Sequence, residues 1–267
     1  MPIQCDYHMH TPLCKHAGGP MEAYVERAIQ LGLREVGFSD HNPLPDGRSA
    51  NVRMSEAELP YYVERVTEMR YRYRGRIDVM LGLELDYVEG LEDYLGKQVA
   101  AYPWDYIVGS IHFLDNACCE ASWPRLYAGD AHQLYARYFE LMRRMARSGL
   151  CDIVAHFDVV KRSGILPGEH EADDITHTLQ EIKDAEVCLE INTSGYRHPE
   201  LPEPQPYPML SIVEQALGLG IPLTVNSDAH MPDQVGLQFG TIEKFLRRKN
   251  CRELAKFEQR KREMYKL

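Results

Sequence analysis

The chain has 267 residues, 44% of them hydrophobic and 26% charged, which is enough apolar content for one large core and too much for extensive disorder. Its formal net charge of -10 excludes a broad nucleic-acid surface, which needs an excess of Lys and Arg to neutralise phosphates, while leaving room for a small anion site. No apolar run approaches the roughly 18 residues of a membrane span, and seven cysteines without CxxC spacing or a signal peptide ahead of them point to a reducing cytoplasm.

Short apolar runs alternate with longer amphipathic ones. "PIQCDYH" reads as a strand, "PMEAYVERAIQLGL" as a helix, "REVGFSD" as a strand and "SEAELPYYVERVTEMRYRYR" as a helix. Later strand candidates are "IDVMLGLELDY", "DYIVGSIHF", "CDIVAHFD", "EVCLEINTS" and "IPLTVNSDAH", with helical patterns in "AHQLYARYFELMRRMARSGL" and "PMLSIVEQALGLG". Repeated strand-then-helix order predicts an α/β fold with a mainly parallel sheet, and no linker divides it, so residues 1–267 read as one domain. Helix stops fall at Gly32, Gly149, Gly218 and Gly220. Residues 42–54 and 197–208 are too rich in Pro, Gly and polar residues for regular structure. The basic segment at about 243–267 reads as a helix, either solvated or forming the contact of a homodimer.

Every strand candidate ends in side chains able to bind a metal or a phosphate: His8 and His10, Asp40 and His41, Glu84, His112, His156, the turn from Asn192 to Arg197, and Asp228 with His230. In parallel α/β barrels the carboxyl ends of all strands meet on one face, so these groups would converge. Side chains two apart on a strand point the same way, about 6.6 Å apart at about 3.3 Å per residue, so "HMH" makes a two-ligand claw. Imidazole and carboxylate suit zinc, iron or manganese in an open catalytic site, and Glu84 could bridge two cations.

A single histidine is usually a satisfied core or surface group, but the joint pattern argues otherwise. Seven of the eleven lie at strand ends or in the first loop, whereas His132, His170 and His177 fall in helical segments and His198 remains ambiguous. Cys14 is expected only to pack nearby, and Asp6 to accept the second N–H of a ligating histidine.

The motifs "DYHMHTPLCKHA", "FSDH", "GLELDY", "GSIHF", "AHFDVVKR", "NTSGYRHP" and "NSDAH", in this order over residues 6–230, resemble the PHP (polymerase and histidinol phosphatase) superfamily, most closely its monofunctional histidinol-phosphate phosphatases. The resemblance implies a distorted (β/α)7 barrel with a trinuclear site at the carboxyl ends of its strands. Its ligands would be His8, His10, His16, His41, Glu84, His112, His156, Asp228 and His230, and its cofactors three divalent ions, zinc, iron or manganese. His16 is placed by resemblance alone, because its loop position does not fix its direction.

Three divalent cations against only two ligand carboxylates would leave the site strongly cationic. They would acidify a bound water from 15.7 toward roughly 7, giving hydroxide to attack a small-molecule phosphate monoester. Arg162 and Arg197 could hold the phosphate through their planar forks, and Asp86, Asp115, Asp158 and Tyr196 could receive the amine and imidazole of histidinol. The competing expectations are a PHP-type phosphoesterase acting on nucleotides or oligonucleotides, a metal-dependent amidohydrolase, and a non-catalytic metal-binding domain. The amidohydrolase reading lacks its bridging lysine, since Lys161 comes only after His156.

Overall fold

The computed structural model describes residues 2–115, 117–118, 123–127, 129–198 and 203–267. In chain order the elements are β1 Cys5–Asp6, α1 Met21–Leu31, β2 Glu35–Phe38, α2 Leu59–Arg72, β3 Asp78–Asp86, α3 Glu92–Ala101, β4 Tyr106–Ser110, β5 Phe113–Leu114 and β6 Ala117–Cys118. There follow α4 Trp123–Leu126, α5 Ala131–Arg147, β7 Ile153–Val154, α6 Ala172–Asp184, β8 Cys188–Asn192, α7 Leu210–Leu219, β9 Leu223–Asn226, α8 Phe239–Arg248, β10 Glu253–Glu258 and β11 Lys261–Lys266. Among the described residues no helix is long and apolar enough to cross a membrane.

Seven strands form one parallel sheet in the order β1-β2-β3-β4-β7-β8-β9. Its two edges meet through a parallel bridge between Met9 and Ala229, with His10 N donating to Ala229 O at 2.9 Å and Ala229 N to His8 O at 3.1 Å. This closure makes the sheet a (β/α)7 barrel, as expected. The helices lie outside and bury one face: α1 turns in Met21, Tyr24, Val25 and Ala28, the i, i+3, i+4, i+7 stripe of an amphipathic helix. Asp130 caps α5 by accepting from Gln133 N at 3.0 Å.

The lower lumen is filled by side chains. Tyr7 and Tyr106 lie 4.8 Å apart between ring centroids, with Cys5, Val108, Ile153 and Cys188 around them. Glycine is required beside them, because a Cβ on Gly37 would come within 2.2 Å of the Tyr106 hydroxyl and one on Gly82 within 2.3 Å of its ring. Such a packed floor leaves the carboxyl ends of the strands as the open, polar end.

The C-terminal segment differs from expectation. Helix α8 ends at Arg248, Asn250 turns left-handed, and residues 253–266 form an antiparallel hairpin instead of continuing as a helix. The physical reason is tertiary. Phe257 and Ala255 are buried beneath Tyr7 and Tyr106, a gain that outweighs local helix propensity. Gln259 and Arg260, both left-handed, make the two-residue turn that suits the strand twist. The basic side chains find acidic partners on the floor, Arg260 on Asp152 at 2.9 Å and Lys256 on Glu35 at 3.3 Å.

Smaller differences follow the same logic. Gly218 lies inside α7, and Gly220, with φ 73°, ends it. Residues 42–54 contain no helix or strand, as expected, whereas in 197–208 the residues 199–202 lie outside the described ones, as does Cys119. Phe257→Ala should lower the unfolding free energy by about 3–5 kcal/mol in urea titrations. The exposed Tyr71→Ala should change it by less than about 0.5 kcal/mol.

Candidate metal centre

Strand geometry carries the proposed ligands to one place. After β1, Met9 packs into the outer layer while His8 and His10, on either side of it, turn inward. On β3, Leu83 and Leu85 face the helices, so Glu84 and Asp86 face the lumen. Ser110 and His112 share a side at the end of β4 and both reach Asp86. His156 and Asp228 follow β7 and β9 with positive φ, 20° and 50°, an unusual backbone of the kind found at functional sites.

Glu84, almost fully buried, is the hub. Its carboxylate lies 2.8 Å from His41 Nδ1, 3.1 Å from His156 Nε2, 3.4 Å from His8 Nε2 and from His10 Nε2, and 3.8 Å from His112 Nε2. Asp228 Oδ1 stands 3.3 Å from His10 Nε2 and 3.5 Å from His230 Nδ1. His16, whose direction the sequence left open, brings its Nε2 within 2.9 Å of His230 Nε2. All nine expected ligands are therefore brought together. Donor atoms lie within 4.8 Å of one another in the sets His8, His10, Glu84; His16, His41, His230; and His41, Glu84, Asp86, His112. Cys14, expected only to pack, forms another such set with His10 and His230.

The residues fit divalent cations. Buried polar atoms are normally hydrogen-bonded, yet His8 Nε2, His41 Nδ1, Glu84 Oε2 and His156 Nδ1 are buried with no hydrogen bond. Imidazole and carboxylate are also the donors that zinc, iron and manganese take.

A second layer orients the rings. His8 Nδ1 bonds Glu190 at 2.7 Å, His10 Nδ1 bonds Asp40 at 3.3 Å and His112 Nδ1 bonds Asp86, which leaves each Nε2 pointing inward. His16 and His230 instead use backbone carbonyls, of Cys14 at 2.7 Å and Asp228 at 3.0 Å. Five carboxylates thus surround the cluster: Glu84 and Asp228, expected as ligands, Asp40, expected as a strand-end donor, Asp86, expected at the substrate, and Glu190. Glu190 was missed. Its signal was a lone acid inside the apolar run "VCLEIN", where a buried charge needs a partner. Asp6 does not touch a histidine ring; it accepts from Ser227 N at 2.9 Å and Gly236 N at 3.1 Å, tying β1 to the segment after β9.

Electrostatics follow burial and neighbours. Burial alone would raise the Glu84 carboxyl, but His41, His8 and His112 outweigh it and hold it well below the usual range. For His41 burial works against the charge, yet Glu84 and Asp86 prevail and lift it to about 9. Burial and the neighbouring His10 push His230 down to about 2. Burial would raise the Cys14 thiol, but hydrogen bonds with His10 and His16 hold it at about 6.

The cluster opens into a cleft of about 620 Å³ whose walls include Arg53, Arg162, Arg197, His198 and Tyr207. Arg197 donates to Ser227 O at 3.1 Å and Asp228 O at 2.7 Å, and so is fixed beside the cluster. Arg162 lies in the single turn Val159–Ser163 at the cleft wall. Asp158 and Asp115 are committed elsewhere: Asp158 pairs with buried Lys161 at 3.0 Å, and Asp115 with Arg137 at 3.0 Å. Lys161 also donates to Pro206 O at 2.7 Å, so it serves that loop and bridges no metals.

Residues 6–194 match the PHP domain. The chain belongs to the PHP domain family. Within it the chain is 36% identical over 250 residues to the "Probable histidinol-phosphatase" of Deinococcus radiodurans, covering 91% of this chain and 92% of that one. It is 28% identical over 275 residues to the "Histidinol-phosphatase" of Bacillus subtilis, covering 91% and 98%. The crystal structure of a histidinol phosphate phosphatase from Lactococcus lactis, complexed with zinc, L-histidinol and phosphate, shares the fold with a TM-score of 0.79 at 18% identity, over 97% of this chain and 98% of that one.

Two outcomes are expected. Ligation takes neutral imidazole, and His41 keeps its proton up to about 9 in the metal-free protein. Metal uptake at pH 7 should therefore release protons, and the release should shrink as pH passes about 9, as measured by calorimetry in buffers of different ionisation enthalpy. Glu190→Gln should weaken zinc binding about 10- to 100-fold in chelator competition.

Proposed function

We infer that this protein is a metal-dependent phosphatase that hydrolyses L-histidinol phosphate to L-histidinol and phosphate in histidine biosynthesis. The observation that carries the reading is the Glu84 carboxylate set among five imidazoles at the base of a cleft whose walls carry Arg53, Arg162 and Arg197. The substrate follows from the names of the relatives, which match over nearly their whole length.

Three divalent cations, zinc, iron or manganese, would be held by His8, His10, His16, His41, Glu84, His112, His156, Asp228 and His230. Bound there, they supply charge stabilisation for the phosphoryl group and acidify water for attack on phosphorus. The remaining work belongs to side chains. Arg162 and Arg197 bind the phosphate oxygens, and the backbone contacts of Arg197 hold its guanidinium still, so little freedom is lost on binding. In the reaction the water oxygen gives up a proton and bonds to phosphorus, the ester P–O bond breaks, and the departing alkoxide takes up one proton, which balances the one the water lost. The enzyme would work in a reducing cytoplasm, where Cys5, Cys14, Cys151, Cys188 and Cys251 remain free thiols.

Metal-loaded protein should release phosphate from L-histidinol phosphate in preference to nucleotides and sugar phosphates. Preference for nucleotides would overturn the substrate and favour another phosphoesterase. Losing one charge-assisted contact costs about 1.5–3 kcal/mol, so Arg162→Ala and Arg197→Ala should each raise KM about 10- to 100-fold. Unchanged kinetics in both would remove them from the phosphate site.

A further inference from the structure

The irregular loop 42–54 returns one buried cation to the metal centre. Arg53 is only 3% exposed. Its Nη1 pairs with Asp86 Oδ2 and donates to Asn42 O at 3.0 Å, its guanidinium carbon lies 5.2 Å from the centroid of the Phe113 ring, and its Nε is buried with no hydrogen bond. The other oxygen of Asp86 receives His112 Nδ1 and, at 2.7 Å, Ser110 Oγ.

We propose that Arg53 is a positioning residue of the metal centre: by fixing Asp86 it fixes the ring of His112, and it makes loop 42–54 part of the centre's framework. The proposal rests on the metal-centre reading above. Three contacts carry it.

The first is the chain Arg53–Asp86–His112, in which one carboxylate spans the guanidinium and the imidazole. The second is Phe113, the residue directly after His112, against which the guanidinium packs, so that Arg53 grips both the acceptor of His112 and its backbone neighbour. The third is closure of the loop on itself. Asn42 N donates to Glu84 O at 2.9 Å, Asp86 N donates to Asn42 Oδ1 at 2.9 Å, and Arg53 returns to Asn42 O. Both ends of the loop are therefore pinned to the two lumen-facing acids of β3.

Burying a guanidinium is costly unless it is paired and hydrogen-bonded, and here its bonds run to the framework of the site. Nη1 alone meets both the Asp86 carboxylate and the Asn42 carbonyl while the guanidinium carbon lies over the Phe113 ring, a placement that a rigid planar group holds better than a flexible ammonium. Arg53 also borders the cleft, so direct phosphate binding is the competing use. Its near-complete burial and its existing partners favour the positioning role.

The test compares wild type with Arg53→Met, Asp86→Asn and the double variant, each checked for folding by circular dichroism and titrated with zinc against a chromogenic chelator. Arg53→Met should weaken uptake of one metal equivalent about tenfold, as loss of an outer-layer partner does. The double variant should bind no more weakly than Asp86→Asn alone, because both changes cut the same chain. Wild-type affinity in Arg53→Met, or a loss that adds fully to that of Asp86→Asn, would overturn the proposal. A raised KM with unchanged zinc affinity would make Arg53 a substrate contact, with the same consequence. Should Arg53→Met not fold, Arg53→Lys carries the comparison: it keeps the charge without the fork and should also bind zinc more weakly, and wild-type affinity there would equally overturn the proposal. A wild-type protein that takes up no zinc would reject the metal-centre reading itself, and this proposal with it.

Discussion

The architecture depends on one buried carboxylate. Glu84, near the carboxyl end of the longest barrel strand, has five imidazoles within 3.8 Å, and such a cluster is costly to bury unless protons or cations balance it. Each ring must also be held against its own rotational freedom. Glu190, Asp40 and Asp86 do this by taking one nitrogen of His8, His10 and His112, so the first layer of donors exists because a second layer of acids surrounds it.

The barrel separates two jobs along its axis. Its lower half is apolar and aromatic, with Tyr7, Tyr106 and Phe257 packed together and two obligatory glycines against Tyr106. Its upper half is polar, charged and open to a cleft. The hairpin β10–β11 closes the lower end, and its basic residues neutralise acids on the floor. Stability and chemistry thus draw on different residues of the same strands. Substitutions in the floor act on folding; those above it act on ligation.

Much of the upper half was legible in the sequence because it obeys local rules. A strand end, a two-residue spacing and a polar residue after an apolar run are visible without coordinates, and His8, His10, Glu84 and His230 were found that way. What stayed hidden depends on distant partners. Glu190 looked like any acid until the structure set it against His8, 182 residues away. Arg53 sat in a stretch with no periodicity to read. Asp6 was assigned to a histidine because it lies two residues before one, whereas its partners, Ser227 and Gly236, come from the far end of the chain, after β9. The C-terminal hairpin failed for a related reason: its composition favours a helix, and only the hollow under Tyr7 makes a strand pair better.

The Met9–Ala229 bridge has a kinetic side. It joins segments separated by most of the chain, and the Tyr7 hydroxyl, accepting from Phe257 N across 250 positions, reaches further still. Contacts of such long sequence separation reward the chain only after a large loop has been closed, so they form late. The "HMH" claw and the "SDAH" turn meet only across that seam. The ring of strands must be completed before the two can share an ion, and a cation present during folding would favour the closed form over any arrangement in which the first and last strands have yet to meet.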